Sequence, residues 1–275
     1  MFEMNLSEPS RRFVLLAPSS ARVPASFRRT ETDWTRYWRL LHEMQRLRGS
    51  VYLHDGAIDE SCLVEGRHGS DADVSSWHLL VLNEQERICG CARFHEHDQP
   101  GVLSELNVGR CALARHPEWS HALSAALQEE LLFSADVGRP FVELGGWALG
   151  EEIRGTTEAL RVALATYAFW EMLGGAVCIS TVTHRHCSAS ILRRIGGRSL
   201  IHQGLAVPPY FDPQYNCRME ILKFYSWAPN PRYGRWVERL RQELTRITVI
   251  ARHSGTRDWR YGHRMTAPMA RAQTA

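Results

Sequence analysis

Lysine is almost missing from this chain. Lys223 is the single one among 33 basic residues, so the positive charge is carried by arginine, which reads as the codon bias of a GC-rich genome. A net charge of +3 is too small to mark the whole chain as a nucleic-acid binder. The imbalance is local: ten arginines fall from Arg232 onward against Glu238, Glu243 and Asp258. Paired CxxC spacing is absent. Cys62, Cys89, Cys91, Cys111, Cys178, Cys187 and Cys217 form an odd set, several of them within apolar runs where a thiol acts as a small hydrophobe. A reduced, disulfide-free cytoplasmic protein is the expectation. No apolar stretch approaches a membrane span, and the run from Phe13 to Ala17 is too short for the core of a signal peptide. Internal repeats and low-complexity blocks are missing too, whereas 44% hydrophobic residues suffice for a packed core.

What is present centres on the run from Phe141 to Gly175. Phe141, Val142, Leu144, Trp147, Ala148 and Leu149 read as an apolar strand, with Gly145–Gly146 inviting a bulge. From Thr156 to Leu173 the spacing turns helical, through Leu160, Ala163, Leu164, Tyr167, Ala168 and Met172, and Gly174–Gly175 ends it. The intervening turn, Glu151 to Thr157, points backbone N–H groups along the positive end of a helix dipole, with Arg154 for charge and Thr156 or Thr157 to cap. Such a turn suits a pyrophosphate or phosphopantetheine phosphate, and serves equally as an ordinary crossover.

Around this centre, Arg12–Ala17 reads as a short strand. A helix capped by Thr32 or Asp33 carries Trp34, Tyr37, Trp38, Leu41, Met44 and Leu47 on one face before Gly49. Trp77–Asn83 and Ile88–His97 form a hairpin, Val102–Leu113 another strand, and Pro117–Val137 a helix. Ala176–Thr183 completes a right-handed crossover after the central helix. A short helix from His186 to Ile195, strands at Arg198–Ile201 and Cys217–Trp227, and a last helix over Tyr233–Val249 follow. The tail from Ser254 reads as poorly ordered without a partner.

This order of elements resembles the GCN5-related N-acyltransferase fold, within which the chain is similar to the acyl-homoserine-lactone synthases and, more strongly, to the long-chain N-acyl amino acid synthases. The resemblance spans Trp34 to Trp227. GCARF (Gly90–Phe94), VELGGWAL (Val142–Leu149), THRHCSASILRRIGGRSL (Thr183–Leu200) and the late VPPYFDPQYNCRMEILKF carry it. It implies a mixed α/β (α+β) fold: a central, mostly antiparallel sheet with a splayed parallel pair in the middle, helices on both faces, an insert helix and a C-terminal helix. The chain would divide into an N-terminal arm (1–32), an acyltransferase domain (33–231) and a basic helix and tail (232–275). Three departures stand out. Only Gly155 survives of the usual phosphate-turn motif, Leu192 stands where many acetyltransferases place a tyrosine acid, and Gly145–Gly146 replaces the Ser-Arg pair of the lactone synthases.

The activity implied is transfer of a fatty acyl group from a carrier-protein or CoA thioester to the amine of a small acceptor such as an amino acid, with no permanently bound cofactor. Backbone N–H groups at Ala148, Leu149 and Gly150 would face the thioester carbonyl, donors worth roughly 3–4 kcal/mol each in the transition state. Glu143, a carboxylate in an apolar strand whose proton affinity burial should raise, is the candidate base or amine anchor, or else the structural partner of Arg93. Arg93 could clamp an acceptor carboxylate, His184 offers an acid, base or acceptor contact, and Gly150, Arg154, Gly155, Thr156 and Thr157 would hold the donor's phosphates. Trp34, Trp38 and Trp147 are candidate walls of an acyl tunnel, or simply core. Asp71 and Asp73 look like the acidic pair of the autoinducer synthases, or solvated turn residues. Neither His95-Glu96-His97-Asp98 nor His184-Arg185-His186-Cys187 supplies a tetrahedral set, so no metal is expected. Cys187 as a covalent nucleophile is the less simple route. The alternatives are a lactone synthase using S-adenosylmethionine, a non-catalytic acyl-thioester sensor or interaction subunit, and a nucleic-acid role for the C-terminal arginines, and a homodimer is compatible with any of them. Those arginines, Arg235 and Arg239 among them, could instead dock an acidic carrier protein.

Overall fold

The structure, a computed structural model, describes residues 11–18, 21, 23–97 and 103–252. In chain order the elements are β1 (Arg12–Leu16), β2 (Arg29–Thr32), α1 (Trp34–His54), β3 (Trp77–Leu82), β4 (Ile88–His97), α2 (Ser120–Asp136), β5 (Phe141–Leu149), α3 (Glu158–Met172), β6 (Val177–Thr183) and α4 (Ser188–Ile195). There follow β7 (Arg198–Ser199), β8 (Ile201–His202), β9 (Leu205–Ala206), β10 (Tyr210–Asp212), β11 (Cys217–Tyr225), α5 (Gly234–Leu244) and β12 (Thr248–Ala251).

Nine strands lie side by side in the order β10-β11-β6-β5-β4-β3-β1-β12-β2, with β7 paired to β11 and β8–β9 a separate hairpin. Pairing is antiparallel except at β5–β6, β1–β12 and β12–β2. Strand alternation sends Trp77, Phe94 and Val142 to one face, where α3 packs Phe169 and Trp170 against them and α5 adds Val237, Leu240 and Leu244. On the other face α1 lays Tyr37, Leu40, Leu41 and Met44 over Val14, Leu16, Leu80 and Ile250. Beyond it α2 covers Phe141, Ile179 and Ile221 with Leu123 and Leu127. Among the described residues no helix is long and apolar enough to cross a membrane.

Three local expectations need correcting. The last helix stops at Leu244, and the β-branched run Ile247 to Ile250 enters the sheet as β12, between β1 and β2. The sheet thereby recruits strands from both stretches outside 33–231. Helix α1 runs past Gly49 to His54, because that glycine serves close packing: a Cβ there would stand 3.0 Å from Leu63 Cδ2 and 3.1 Å from Gly66 O. The stretch expected as a strand before Leu113 is instead three 3-10 turns, Leu103–Glu105, Val108–Arg110 and Ala112–Arg115. A Cβ on Gly109 would collide with Leu103 O, so the chain folds on itself too tightly for a ladder. The tail from Ser254 lies outside the described residues.

Candidate active site at the fork between two parallel strands

The central crossover is built as the spacing predicts, and its two strands part. β5 and β6 pair at Phe141–Val177, Val142–Cys178 and Glu143–Ile179 and at no later position. At the fork Ser180 Oγ donates to Leu144 O at 2.9 Å. β5 stays bound to β4, but Cys91 and Arg93 of β4 face Ala148 and Gly145 of β5, so β5 carries one residue too many, a bulge. Gly146, at φ +59°, takes the left-handed conformation the bulge requires. Gly150 N–H binds Cys89 O at 2.8 Å, toward β4. By alternation Ala148 N–H also faces β4, and Leu149 N–H faces the edge that β6 has left.

On the α3 side the fork opens into a pocket walled chiefly by Leu144, Trp147, Val162, Leu192, Phe224 and Trp170. On the α1 side lies a buried polar cluster. Arg48, 2% exposed, binds Asp73 through Nη1 at 3.1 Å and Nη2 at 2.6 Å, and Arg93 Nη1 stands 3.3 Å from Asp73 Oδ1. Gln45 Nε2 donates to Asp73 as well, at 2.9 Å. Burial alone would raise the Asp73 pKa, but the Arg48 guanidinium holds its carboxyl far below the usual carboxylate range. Tyr52 and Tyr215, ring centroids 6.5 Å apart, close the cluster, and burial pushes both phenols up.

The expected site residues divide between these places and elsewhere. Arg93 and Trp147 border the pocket. Glu143 does not pair with Arg93, which goes to Asp73. Its carboxylate accepts from His97 Nε2 (2.9 Å), Asn107 N (3.0 Å), Asn107 Nδ2 (2.9 Å) and Val108 N (2.8 Å). Burial would raise its pKa, yet these donors prevail and hold it below the ordinary value, the reverse of the expected direction. Such a carboxylate ties the 3-10 turns to β5 and is a poor base. Arg154 brings no free charge to the β5–α3 turn: its Nη1 and Nη2 bind Asp55 at 2.8 and 2.9 Å, and its Nε binds Leu149 O at 3.0 Å. Gly155, at φ +68°, keeps open space about it, and Thr156 Oγ1 accepts from Glu158 N at 3.2 Å, capping α3. Thr157 makes no side-chain cap.

Trp34 and Trp38 stand away from the pocket, with Arg252 over their rings at 5.0 and 5.7 Å. His184 ends β6 with Nε2 3.8 Å from Glu220, whose carboxylate is already held by Arg193. Cys187, exposed and left-handed at φ 60°, opens α4. Asp73 belongs to the buried cluster and Asp71 lies exposed in the same short turn. Arg48 escaped notice in the sequence, although an arginine on the Leu41–Met44 stripe was a visible break in the apolar pattern. Asp55 and Tyr215 gave no signal at all. Among the described residues no group of His, Cys, Asp or Glu could hold a metal ion.

No protein-family model and no curated protein matches the chain. Solved structures do. The CoA-dependent acyl-homoserine lactone synthase BjaI, with SAM and isopentyl-CoA, superposes with a TM-score of 0.55 at 15% identity, covering 91% of this chain and 97% of that one. The chain has the BjaI fold. The same enzyme with MTA gives 0.54 at 15% identity, over 91% and 97%. FeeM, an N-acyl amino acid synthase from uncultured soil microbes, gives 0.43 at 13% identity, over 66% and 83%. The mixed sheet, its forked parallel pair and helices on both faces agree with the fold expected from the order of elements.

Proposed function

We propose that this protein is an N-acyltransferase that moves an acyl group from a CoA thioester to the amine of a small acceptor bearing a carboxylate. The observation that carries this reading is the fork: two parallel strands that separate after three residue pairs, with an apolar pocket behind and buried charge in front. The donor's thioester would lie between β5 and β6 with its acyl group in the pocket. Leu149 N–H, unclaimed by β4, would donate to the carbonyl oxygen as it becomes an oxyanion. The open turn at Gly155 and the start of α3 at Thr157 would receive the pyrophosphate through backbone N–H groups, since Arg154 is occupied by Asp55.

The acceptor would bind on the α1 side. Arg93 holds Asp73 through one nitrogen at 3.3 Å, and its buried Nε has no partner among the described residues, so the guanidinium retains donors for a carboxylate. The amine attacks the carbonyl carbon, the C–N bond forms as the C–S bond breaks, and the amine's proton ends on the departing thiolate. Leu192 lines the pocket where many acetyltransferases have a tyrosine, and so cannot supply that proton. BjaI was solved with isopentyl-CoA, which supports CoA over a carrier protein as donor. Its SAM supports S-adenosylmethionine as a second acceptor candidate beside free amino acids.

The test is release of free thiol from a panel of acyl-CoAs in the presence of single amino acids or S-adenosylmethionine, with products identified by mass spectrometry. An N-acyl amino acid is the expected product, and an acyl-homoserine lactone would select the other acceptor. Arg93→Ala should raise the acceptor KM at least tenfold and leave the acyl-CoA KM within twofold. Absence of acceptor-dependent thiol release across the panel would leave a binding protein without transferase activity.

A further inference from the structure

The pocket behind the fork is not the plain hydrocarbon tunnel that a saturated fatty chain needs. Among the described residues, ten buried side-chain polar atoms lack a hydrogen-bond partner. Three belong to residues on the α3 side of this pocket: Trp147 Nε1, Tyr167 Oη and Trp170 Nε1. All three are donors. Tyr167 is 4% exposed and Trp170 fully buried, so water reaches neither from outside. Burial pushes the Tyr167 phenol well above its ordinary pKa, so it keeps its proton.

Their places follow from the topology. α3 starts at the open end of β5 and runs back toward the rungs where β5 and β6 are still paired. Along it Val162 comes first and Trp170 about 12 Å later, at 1.5 Å per residue. Tyr167 and Trp170 therefore stand at the closed end, with Cys178, Phe224 and Ser226. Two unpartnered donors at the bottom of an apolar slot waste their hydrogen bonds on a methyl terminus and gain them from an oxygen.

We propose, resting on the acyl-transfer reading above, that the acyl group this protein selects carries a hydrogen-bond-accepting oxygen at its far end, which receives the Tyr167 O–H and Trp170 Nε1–H. The lining along α3 from Val162 to Trp170 spans about 12 Å, so the oxygen would sit at the end of a chain of medium length or on a hydroxylated aromatic ring on a short linker.

Matched pairs competed in one tube test it: octanoyl-CoA against 8-hydroxyoctanoyl-CoA, decanoyl-CoA against 10-hydroxydecanoyl-CoA, and 3-phenylpropanoyl-CoA against 3-(4-hydroxyphenyl)propanoyl-CoA. The ratio of acylated products, by mass spectrometry, should favour the oxygenated member of at least one pair tenfold or more. Tyr167→Phe, with thermal unfolding as the control for folding, should bring that ratio within threefold of unity. Trp170→Phe should act in the same direction. Equal or reversed preference in every pair, or a preference that Tyr167→Phe leaves unmoved, overturns the oxygen requirement and leaves the transferase reading intact. If no member of any pair is consumed, both readings fall together.

Discussion

His78 sits beneath the charged cluster, fully buried, with Nε2–H donating to Asp73 O at 2.7 Å and Nδ1 facing no partner among the described residues. Burial lowers its pKa to about 4; the Asp73 carboxylate opposes this, and the Arg48 and Arg93 charges add to it. Between pH 6.5 and 4 the unfolded chain binds a proton here and the folded one does not. Stability therefore falls as pH drops through that window, by on the order of 3 kcal/mol from this residue. His78→Gln keeps an N–H for the Asp73 carbonyl and removes the titration. Urea unfolding at pH 7 and pH 4.5 should then show a loss smaller by about 2 kcal/mol in the variant. Equal losses in both proteins would place the acid sensitivity elsewhere. None of this could be read from the sequence, where His78 is one letter in an apolar strand and Glu143 and Arg93 look like natural partners on adjacent strands. The register decides otherwise: Arg93 lies opposite Gly145, and Glu143 opposite His95. Side-chain partners in a sheet depend on the pairing offset, which composition does not encode.

Elements with a strong period were legible. β5, α3 and β6 lie where alternation and helical spacing put them, and the Gly145–Gly146 pair marks the bulge. A segment whose shape is set by distant partners was not. Asn107 and Val108 give their N–H groups to Glu143, thirty-six and thirty-five residues away, and this replaces the expected strand with turns. β12 reads as the end of a helix because its neighbours β1 and β2 lie more than two hundred residues earlier. The bulge itself supports a prediction. A Cβ on Gly146 would stand 3.1 Å from both Arg48 Nη1 and Arg93 Cβ, in a backbone conformation that costs L-residues about 1–2 kcal/mol. Gly146→Ala should lower the urea midpoint by an amount worth about 2 kcal/mol, as the arginine it meets gives way. Since Arg93 moves with it, the acceptor KM should rise as well. Unchanged stability would mean that the bulge can relocate along β5.

Across the whole molecule, the half of the sheet away from the fork is closed by a strand from the other end of the chain. β12 stands between β1 and β2, so β2 has no other neighbour, and β1 would become an edge without it. Ile247, Val249, Ile250 and Ala251 are all buried there, and Val249 and Ile250 are fully so. At about 1.5–3 kcal/mol per large apolar side chain, this strand contributes on the order of 6 kcal/mol. That is as much as the net stability of about 5–15 kcal/mol that keeps a domain of this kind folded. The same end of the sheet holds α1 by its first turn, where Arg252 lies over Trp34 and Trp38. α1 in turn carries Arg48 and ends at Asp55, which grips Arg154 beside the fork. Loss of β12 should therefore reach the candidate site through α1. A chain ending at Thr245 should show no cooperative thermal transition by circular dichroism and no thiol release from acyl-CoA. A cooperative melt within a few degrees of full length for the shorter chain would show that β1 and β3 hold α1 unaided, and that β12 is an ornament on the sheet.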